Sequence, residues 1–174
     1  MRRRDDLIGP KLRSVLATLC LIVSPLASAV SIDDWLSETH EGRLYKTNMG
    51  ECVLENGQVI EACRLTFRTY GRLAPDLSNI VLMPTWLNGN AEGLSTYNYL
   101  GPDGIVDTDD YFVIAVNALG NGSSSSPSNS AQSPFPRFTI RDQVSLQHQL
   151  LTEHLDIERL HACLLYTSPS PRDQ

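Results

Sequence analysis

Ser78-Asn79-Ile80-Val81-Leu82-Met83-Pro84-Thr85-Trp86-Leu87-Asn88-Gly89 is the stretch that decides the architecture of this chain. Its centre, Asn79 to Met83, is a near-continuous apolar run closed by Pro84. A strand with one wet face alternates apolar and polar residues, whereas an unbroken run reads as a strand covered on both faces. Tyr111 to Val116 (YFVIAV) repeats the pattern and ends at Asn117. Between the two lies polar, Gly-rich sequence of little periodicity, Asn88 to Asp110. This spacing predicts an α/β fold, with parallel strands in mid-sheet and helices covering both sides. Ligands of such sheets bind beyond the C-terminal ends of the strands. Here that means the residues after Met83 and after Val116.

Toward the N-terminus, Glu51 to Glu55 and Gln58 to Tyr70 read as an antiparallel hairpin joined at Asn56-Gly57. Asn-Gly favours a two-residue type I′ turn, whose central positions both need φ > 0. The alternation of Arg64, Leu65, Thr66, Phe67 and Arg68 suits a strand with one wet face. Around that turn Cys52 and Cys63 stand diagonally, not directly opposite, unless a bulge shifts the register, so a disulfide is compatible with the pattern but not forced by it. A disulfide and two unpaired thiols both remain open. No histidine cluster surrounds these cysteines at ligand spacing, and no metal site is expected. Ile32 to Glu38 reads as a short helix with Ser31 as its N-cap.

Toward the C-terminus, Gly120 to Pro136 is a loop rich in Ser, Pro and Asn, and its Ser123-Ser124-Ser125-Ser126 run has the composition of a flexible linker. Thr139-Ile140-Arg141-Asp142 then opens a helix with the Ser/Thr-x-x-acid capping pattern. Ile140, Val144, Leu151 and Leu155, with His148 between them, mark its expected inward face. A further strand is expected to begin at Leu160.

Both ends read differently from the middle. Met1 to Arg13 carries Arg2, Arg3, Arg4, Lys11 and Arg13, and Ser14 to Leu26 is an apolar run of 13 residues. Ala27-Ser28-Ala29 supplies a small-x-small cleavage pattern, so residues 1–29 are expected to be a signal peptide for the general secretion route. The apolar run is shorter than the roughly 20 residues a membrane-spanning helix needs. The expected location is therefore periplasmic or extracellular, with no membrane attachment after cleavage. At the other end, Cys163 to Asp173 (CLLYTSPSPRD) resembles the translation of a transposase-based sequencing adapter. Residues 163–174 are expected to be a non-native tail, leaving 30–162 as a truncated domain. That stretch holds 8 basic residues against 17 acidic ones. An evenly acidic surface argues against a nucleic-acid partner, which needs a basic patch.

Five segments in one order carry a resemblance. They are Leu54 to Gly57, Arg64-Leu65-Thr66-Phe67-Arg68-Thr69-Tyr70-Gly71-Arg72-Leu73, Ser78 to Gly89, Asp107 to Ile114 leading to Asn117-Ala118-Leu119-Gly120, and Phe135-Pro136-Arg137-Phe138-Thr139-Ile140-Arg141-Asp142-Gln143-Val144. Together they resemble the N-terminal half of the homoserine O-acetyltransferase family of the α/β-hydrolase superfamily, over roughly Asn48 to Leu160. The resemblance implies the N-terminal part of an α/β-hydrolase fold and a parent enzyme with a Ser-Asp-His triad. It implies acyl transfer from acetyl-CoA or another acyl-CoA to a small-molecule acceptor, or hydrolysis of a small-molecule ester. No resident cofactor is implied, and a homodimeric parent is compatible with it.

The superfamily's nucleophile sits on a strand-to-helix Gly-x-Ser-x-Gly turn. Nothing in 30–162 fits that turn, and it is expected just after Ala162. No catalytic side chain is therefore assigned. The family's His-x-Leu-Thr-Gly stretch matches Thr85-Trp86-Leu87-Asn88-Gly89, so the resemblance makes the Leu87 N–H an oxyanion-hole donor. Thr85 stands where the family has His, a departure that weakens homoserine as the acceptor. His148 is expected to be a core histidine, and Asp109-Asp110 a solvated pair before a strand. A secreted, non-catalytic binding protein of the same fold is the contrasting expectation.

Overall fold

A computed structural model of the chain describes residues 32–86 and 89–164. The segment expected to be a signal peptide, the expected Ser31 cap, Leu87 and most of the expected tail lie outside the described residues.

The chain opens with α1 (Ile32–Leu36). The hairpin strands β1 (Thr39–Val53) and β2 (Val59–Arg72) follow. Next come β3 (Ile80–Pro84), α2 (Ala91–Thr96), and a small two-stranded ribbon of β4 (Leu100–Gly101) and β5 (Val106–Asp107). Last are β6 (Phe112–Val116), α3 (Ile140–Gln149) and β7 (Ala162–Cys163). The main sheet has the order β1-β2-β6-β3-β7. β1, β2 and β6 are antiparallel neighbours, and β3 lies parallel to both β6 and β7.

The two apolar runs are the central parallel pair, and their side chains divide between two cores. Ile80, Leu82, Phe112, Ile114 and Val116 pack with Trp35, Phe67, Leu146, Leu150 and Leu151 under α1 and α3. Val81, Met83, Val113 and Ala115 face the opposite way, onto Ala91 and Leu94 of α2. Each fully covered aliphatic chain contributes about 1.5–3 kcal/mol. With both faces buried, a polar residue at any buried position of either strand would lack water and need a hydrogen-bond partner.

The hairpin departs from its expected form in two ways. β1 begins twelve residues before Glu51, because its N-terminal half pairs with β2 all the way to Thr39↔Arg72. The connection is also a three-residue loop, Glu55 to Gly57, closed by Leu54 N–H to the Gln58 carbonyl at 2.8 Å. Gly57 has φ +78°, whereas Asn56 has no positive φ, so the turn is not type I′. Three-residue loops with a left-handed last residue are the next most favoured hairpin solution. Register shifts between Asn48 and Gly50 and between Gly50 and Cys52 move the pairing. Cys52 and Cys63 meet there as a buried disulfide with a Cα–Cα distance of 5.7 Å.

α3 has the Thr139–Asp142 capping box, with the Thr139 N–H donating to Asp142 Oδ2 at 2.7 Å. Asp142 Oδ1 also accepts the Glu55 N–H at 2.7 Å. Burial opposes the charge on Asp142, but the N–H donors of Glu55 and Thr139 and the Thr139 hydroxyl outweigh it and lower its pKa. This clasp turns the helix. Asp142, Leu146, Gln147 and Leu150 face inward, while Ile140 and Val144 are 77% and 61% exposed. His148 is also exposed, so the expected inward face is wrong by two positions, about 200° around the axis at 100° per residue. Leu151 and Leu155 are nonetheless buried, because the helix continues as a wider π turn (Leu150–His154) closed by Leu155 N–H to the Leu150 carbonyl at 3.1 Å.

The disulfide closes a loop with a sequence separation of 11. By chain entropy its reduction should lower the free energy of unfolding by about 3 kcal/mol. A urea midpoint that shifts down when reductant is added, and likewise in Cys63→Ser, is the expected result.

Candidate functional site

The C-terminal ends of β3 and β6 carry a connected polar cluster, and its origin lies in unequal strand lengths. β6 stops at Val116, opposite Phe67, while β2 extends further toward the hairpin. Backbone groups of β2 from Ala62 to Thr66 would be orphaned there, at a cost comparable to a lost hydrogen bond each. The segment after β6 folds back to meet them. Asn117 N–H donates to the Thr66 carbonyl at 2.9 Å, and Ser125 N–H to the Arg64 carbonyl at 2.9 Å. Ser124 Oγ accepts the Thr66 N–H at 3.0 Å, and Ser125 Oγ accepts the Arg64 N–H at 2.8 Å. Ser124, Ser125 and Ser126 are all buried. The serine run is therefore a pseudo-strand, not a linker: short hydroxyls stand in for ladder carbonyls.

At the end of β6 both polar atoms of the Asn117 carboxamide have partners. Its Nδ2 donates to Thr66 Oγ1 at 3.0 Å, and its Oδ1 accepts the Ala91 N–H at 2.9 Å and Asn121 Nδ2 at 3.0 Å. Asn121 Nδ2 also donates to the Gly89 carbonyl at 3.1 Å. On the other arm, Thr85 N–H donates to the Val116 carbonyl at 3.0 Å, and the Ala118 N–H donates to Thr85 Oγ1 at 3.1 Å. The segment between β3 and α2 is thus tied to β6 before and after residues 87–88. Thr85, at the family's histidine position, is buried and serves as an acceptor in this tie.

Gly89 N–H closes a turn onto the Trp86 carbonyl at 3.0 Å. A Cβ on Gly89 would meet the Trp86 indole at 2.2 Å, so only glycine lets the ring lie flat against the turn. Tyr97 and Tyr99 pack around Trp86 with ring centroids 6.1 and 6.3 Å away. Asn90 caps α2 through its Oδ1 and the Gly93 N–H, at 2.8 Å. These aromatic and capping contacts lay in the stretch read as having little periodicity. A six-residue helix leaves too short a pattern to detect.

The other candidates are not brought to this place. Asp109 and Asp110 are exposed in the loop before β6, where Asp110 lends its carbonyl to Asn79 Nδ2 at 3.1 Å. His148 is exposed on α3, and His161 is exposed beside Tyr111, with ring centroids 5.0 Å apart. Among the described residues, no group of His, Cys, Asp and Glu could hold a metal ion. The core histidine is His40 instead, which is buried, with Nδ1 2.7 Å from Thr69 Oγ1 and its ring edge-on to Phe112. Nothing in its spacing marked it, since Thr69 and Phe112, which hold and cover it beside Trp35, come from distant sequence.

A sheet of order β1-β2-β6-β3-β7, with its polar cluster at the carboxyl ends of the parallel strands, is the N-terminal part of an α/β-hydrolase fold. Solved structures agree. The acetylester hydrolase of Corynebacterium glutamicum superposes with a TM-score of 0.65 at 37% identity, over 71% of this chain and 36% of that one. The chain is a homologue of esterases and homoserine O-acetyltransferases. It is 37% identical over 133 residues to the ethyl acetate hydrolase of Pseudomonas veronii, covering 74% of this chain and 38% of that protein. It is 33% identical over 127 residues to the homoserine O-acetyltransferase of Sulfurimonas autotrophica, covering 63% and 34%. No protein-family model matches the chain. It spans a little more than a third of the length of the relatives it matches.

Two outcomes follow from the packing. Gly89→Ala should cost about 1–3 kcal/mol by overpacking against Trp86, read as a lower thermal midpoint and altered indole fluorescence. His40 is held below its ordinary pKa of 6.5 by burial, with opposing contributions from Trp35 and Glu38. The unfolded chain therefore binds a proton more readily below pH 6.5. Stability from neutral His40 is complete above that value and is lost as pH falls through the lower folded pKa. The thermal midpoint should drop between pH 7 and 5, and drop less in His40→Gln.

Proposed function

We propose that this chain is the N-terminal portion of an exported α/β-hydrolase-fold enzyme that cleaves short-chain carboxylic esters, with acyl transfer to a small hydroxyl acceptor as the related chemistry. The observation that carries this reading is 37% identity to an ethyl acetate hydrolase across a segment that includes both central strands and the polar cluster at their ends. Hydrolysis is favoured over homoserine acetylation because Thr85 replaces the family's histidine. Export also favours it, since acyl-CoA is scarce outside the cytoplasm. The buried Cys52–Cys63 disulfide suits an oxidising compartment.

In such an enzyme a serine oxygen attacks the ester carbonyl while a histidine, oriented by an aspartate, takes its proton. The C–O bond to the alcohol then breaks, and the histidine returns the proton to the leaving alkoxide. Water repeats the sequence on the acyl-serine and releases the acid. This chain's share is the wall over the substrate carbonyl. Its loop after β3, with the Leu87 N–H as proposed donor, would stabilise the oxyanion of each tetrahedral intermediate. The serine is proposed to lie on a Gly-x-Ser-x-Gly turn encoded after Ala162, following the strand that β7 starts. In that strand Cys163 pairs with Leu82 through backbone groups, which take no account of the side chain present. Residues 163–174 are proposed to be foreign to the native protein.

Genomic sequence read through codon 162 should run into a strand and a Gly-x-Ser-x-Gly turn. The full-length product should hydrolyse p-nitrophenyl acetate in preference to acetylating homoserine from acetyl-CoA. A full-length product that does neither, or a gene without that turn, overturns the proposal.

A further inference from the structure

His40 is one wall of the aromatic socket that holds α1 to the sheet. Trp35 is 1% exposed and packs against the rings of His40, Tyr45, Phe67 and Phe112, with centroids 5.9, 5.5, 6.1 and 5.4 Å away. Its indole N–H has no hydrogen-bond partner among the described residues, so packing holds the ring. A five-residue helix has no stability of its own, and α1 keeps its place only while that socket is intact. His40 Nδ1 pairs with Thr69 Oγ1 at 2.7 Å, but Nε2 is buried and has no partner among the described residues. A proton added at Nε2 would leave an unpaired charge between Trp35 and Phe112, and burying such a charge is costly.

We propose that His40 is a pH-sensitive latch: protonation at Nε2 releases residues 32–41, which are α1 and the first rungs of β1, while the rest of the sheet stays folded. The hinge is already present in the strand. Pairing of β1 with β2 is interrupted between Glu41 and Arg43, and Gly42 there takes φ +89°. The Arg68 guanidinium pins this bulge by donating to the Gly42 carbonyl. Three rungs lie on the α1 side of it: Thr39↔Arg72, His40↔Gly71 and Glu41↔Tyr70. On the other side, pairing continues from Arg43↔Thr69 to Val53↔Val59. Opening three rungs and the Trp35 socket gives the charge access to water and leaves both central strands in place, so it costs less than global unfolding. The charged groups flanking the socket are exposed: Asp33 and Asp34 on α1, Glu38 in the turn after it, Glu41 and Arg43 on β1, and Arg72 on β2. β6 has none. Burial is the main influence on the ring and opposes its charge. The Trp35 backbone and Glu38 favour the charge, and Arg43, 3.6 Å from Glu38, opposes it. The closed form therefore takes up its proton at lower pH than the open form, and acid favours opening.

The test is amide hydrogen exchange on the full-length protein, read by peptide mass between pH 7 and 5 and corrected for intrinsic rates. The readout needs no ester cleavage, so its result is separate from the functional reading. Protection within 32–41 should fall about tenfold for each pH unit below 6.5, until His40 is protonated in the closed form. At pH 5 it should not change in dilute urea, because opening the latch exposes little surface. Peptides from 63–70 and 112–116 should be better protected at every pH and should lose protection as urea rises. His40→Gln should make protection of 32–41 independent of pH, and His148→Gln, exposed on α3, should leave the dependence as it was. Protection of 32–41 that stays flat or rises as pH falls overturns the latch, as does a urea dependence matching that of 63–70. So does His40→Gln with an unchanged pH dependence. Where His40→Gln does not fold, the pH and urea series on the unsubstituted protein decide.

Discussion

β3 and β6 have no polar face, and the rest of the described structure is arranged around that constraint. Parallel strands cannot be joined by a tight turn, so a crossover must pass over the sheet and cover one side. Here α2 and the small ribbon do so, burying Ala91, Leu94, Leu100 and Val106 against Val81, Met83, Val113 and Ala115. The opposite face then needs its own cover, supplied by α1 and α3 over Phe112, Ile114 and Leu82. Trp35 sits at the junction of that cover, tilted on Phe112 with ring centroids 5.4 Å apart.

The same constraint creates the candidate site. Because β6 is short and β2 is long, backbone groups of β2 run past the end of their neighbour. The chain leaving β6 is drawn back to them, and Asn117, Ser124 and Ser125 satisfy the backbone donors and acceptors of Arg64 and Thr66. A buried polar network with every member paired rigidifies what it touches. What it touches is the segment after β3, through Thr85, Gly89 and Ala91.

Much of the fold was legible in the residues because its signals are local. Apolar runs without alternation marked both central strands within one residue, and Thr139-x-x-Asp142 marked the cap of α3. The errors also share a cause. Ile140 and Val144 were expected to face inward, but the Asp142 bond to Glu55 rotates the helix, and a contact 87 residues away leaves no periodic trace. The Asn56-Gly57 turn took a three-residue form because Leu54 pairs with Gln58 in a register set by bulges further along the hairpin. The serine run looked like a linker because composition records polarity, not whether hydroxyls have partners.

By itself the sequence determined which two central strands are buried, where α1 and α3 begin, and the superfamily whose ordered motifs it shares. All of these depend on neighbours within a few residues. Only the tertiary structure decided that Cys52 meets Cys63, that His40 and not His148 lies in the core, and that Asn117 ties the β3 loop to β2. Each depends on a partner supplied by another element. Side-chain hydrogen bonds and register shifts are fixed by the packing of whole strands, a long-range equilibrium that no short window of residues encodes.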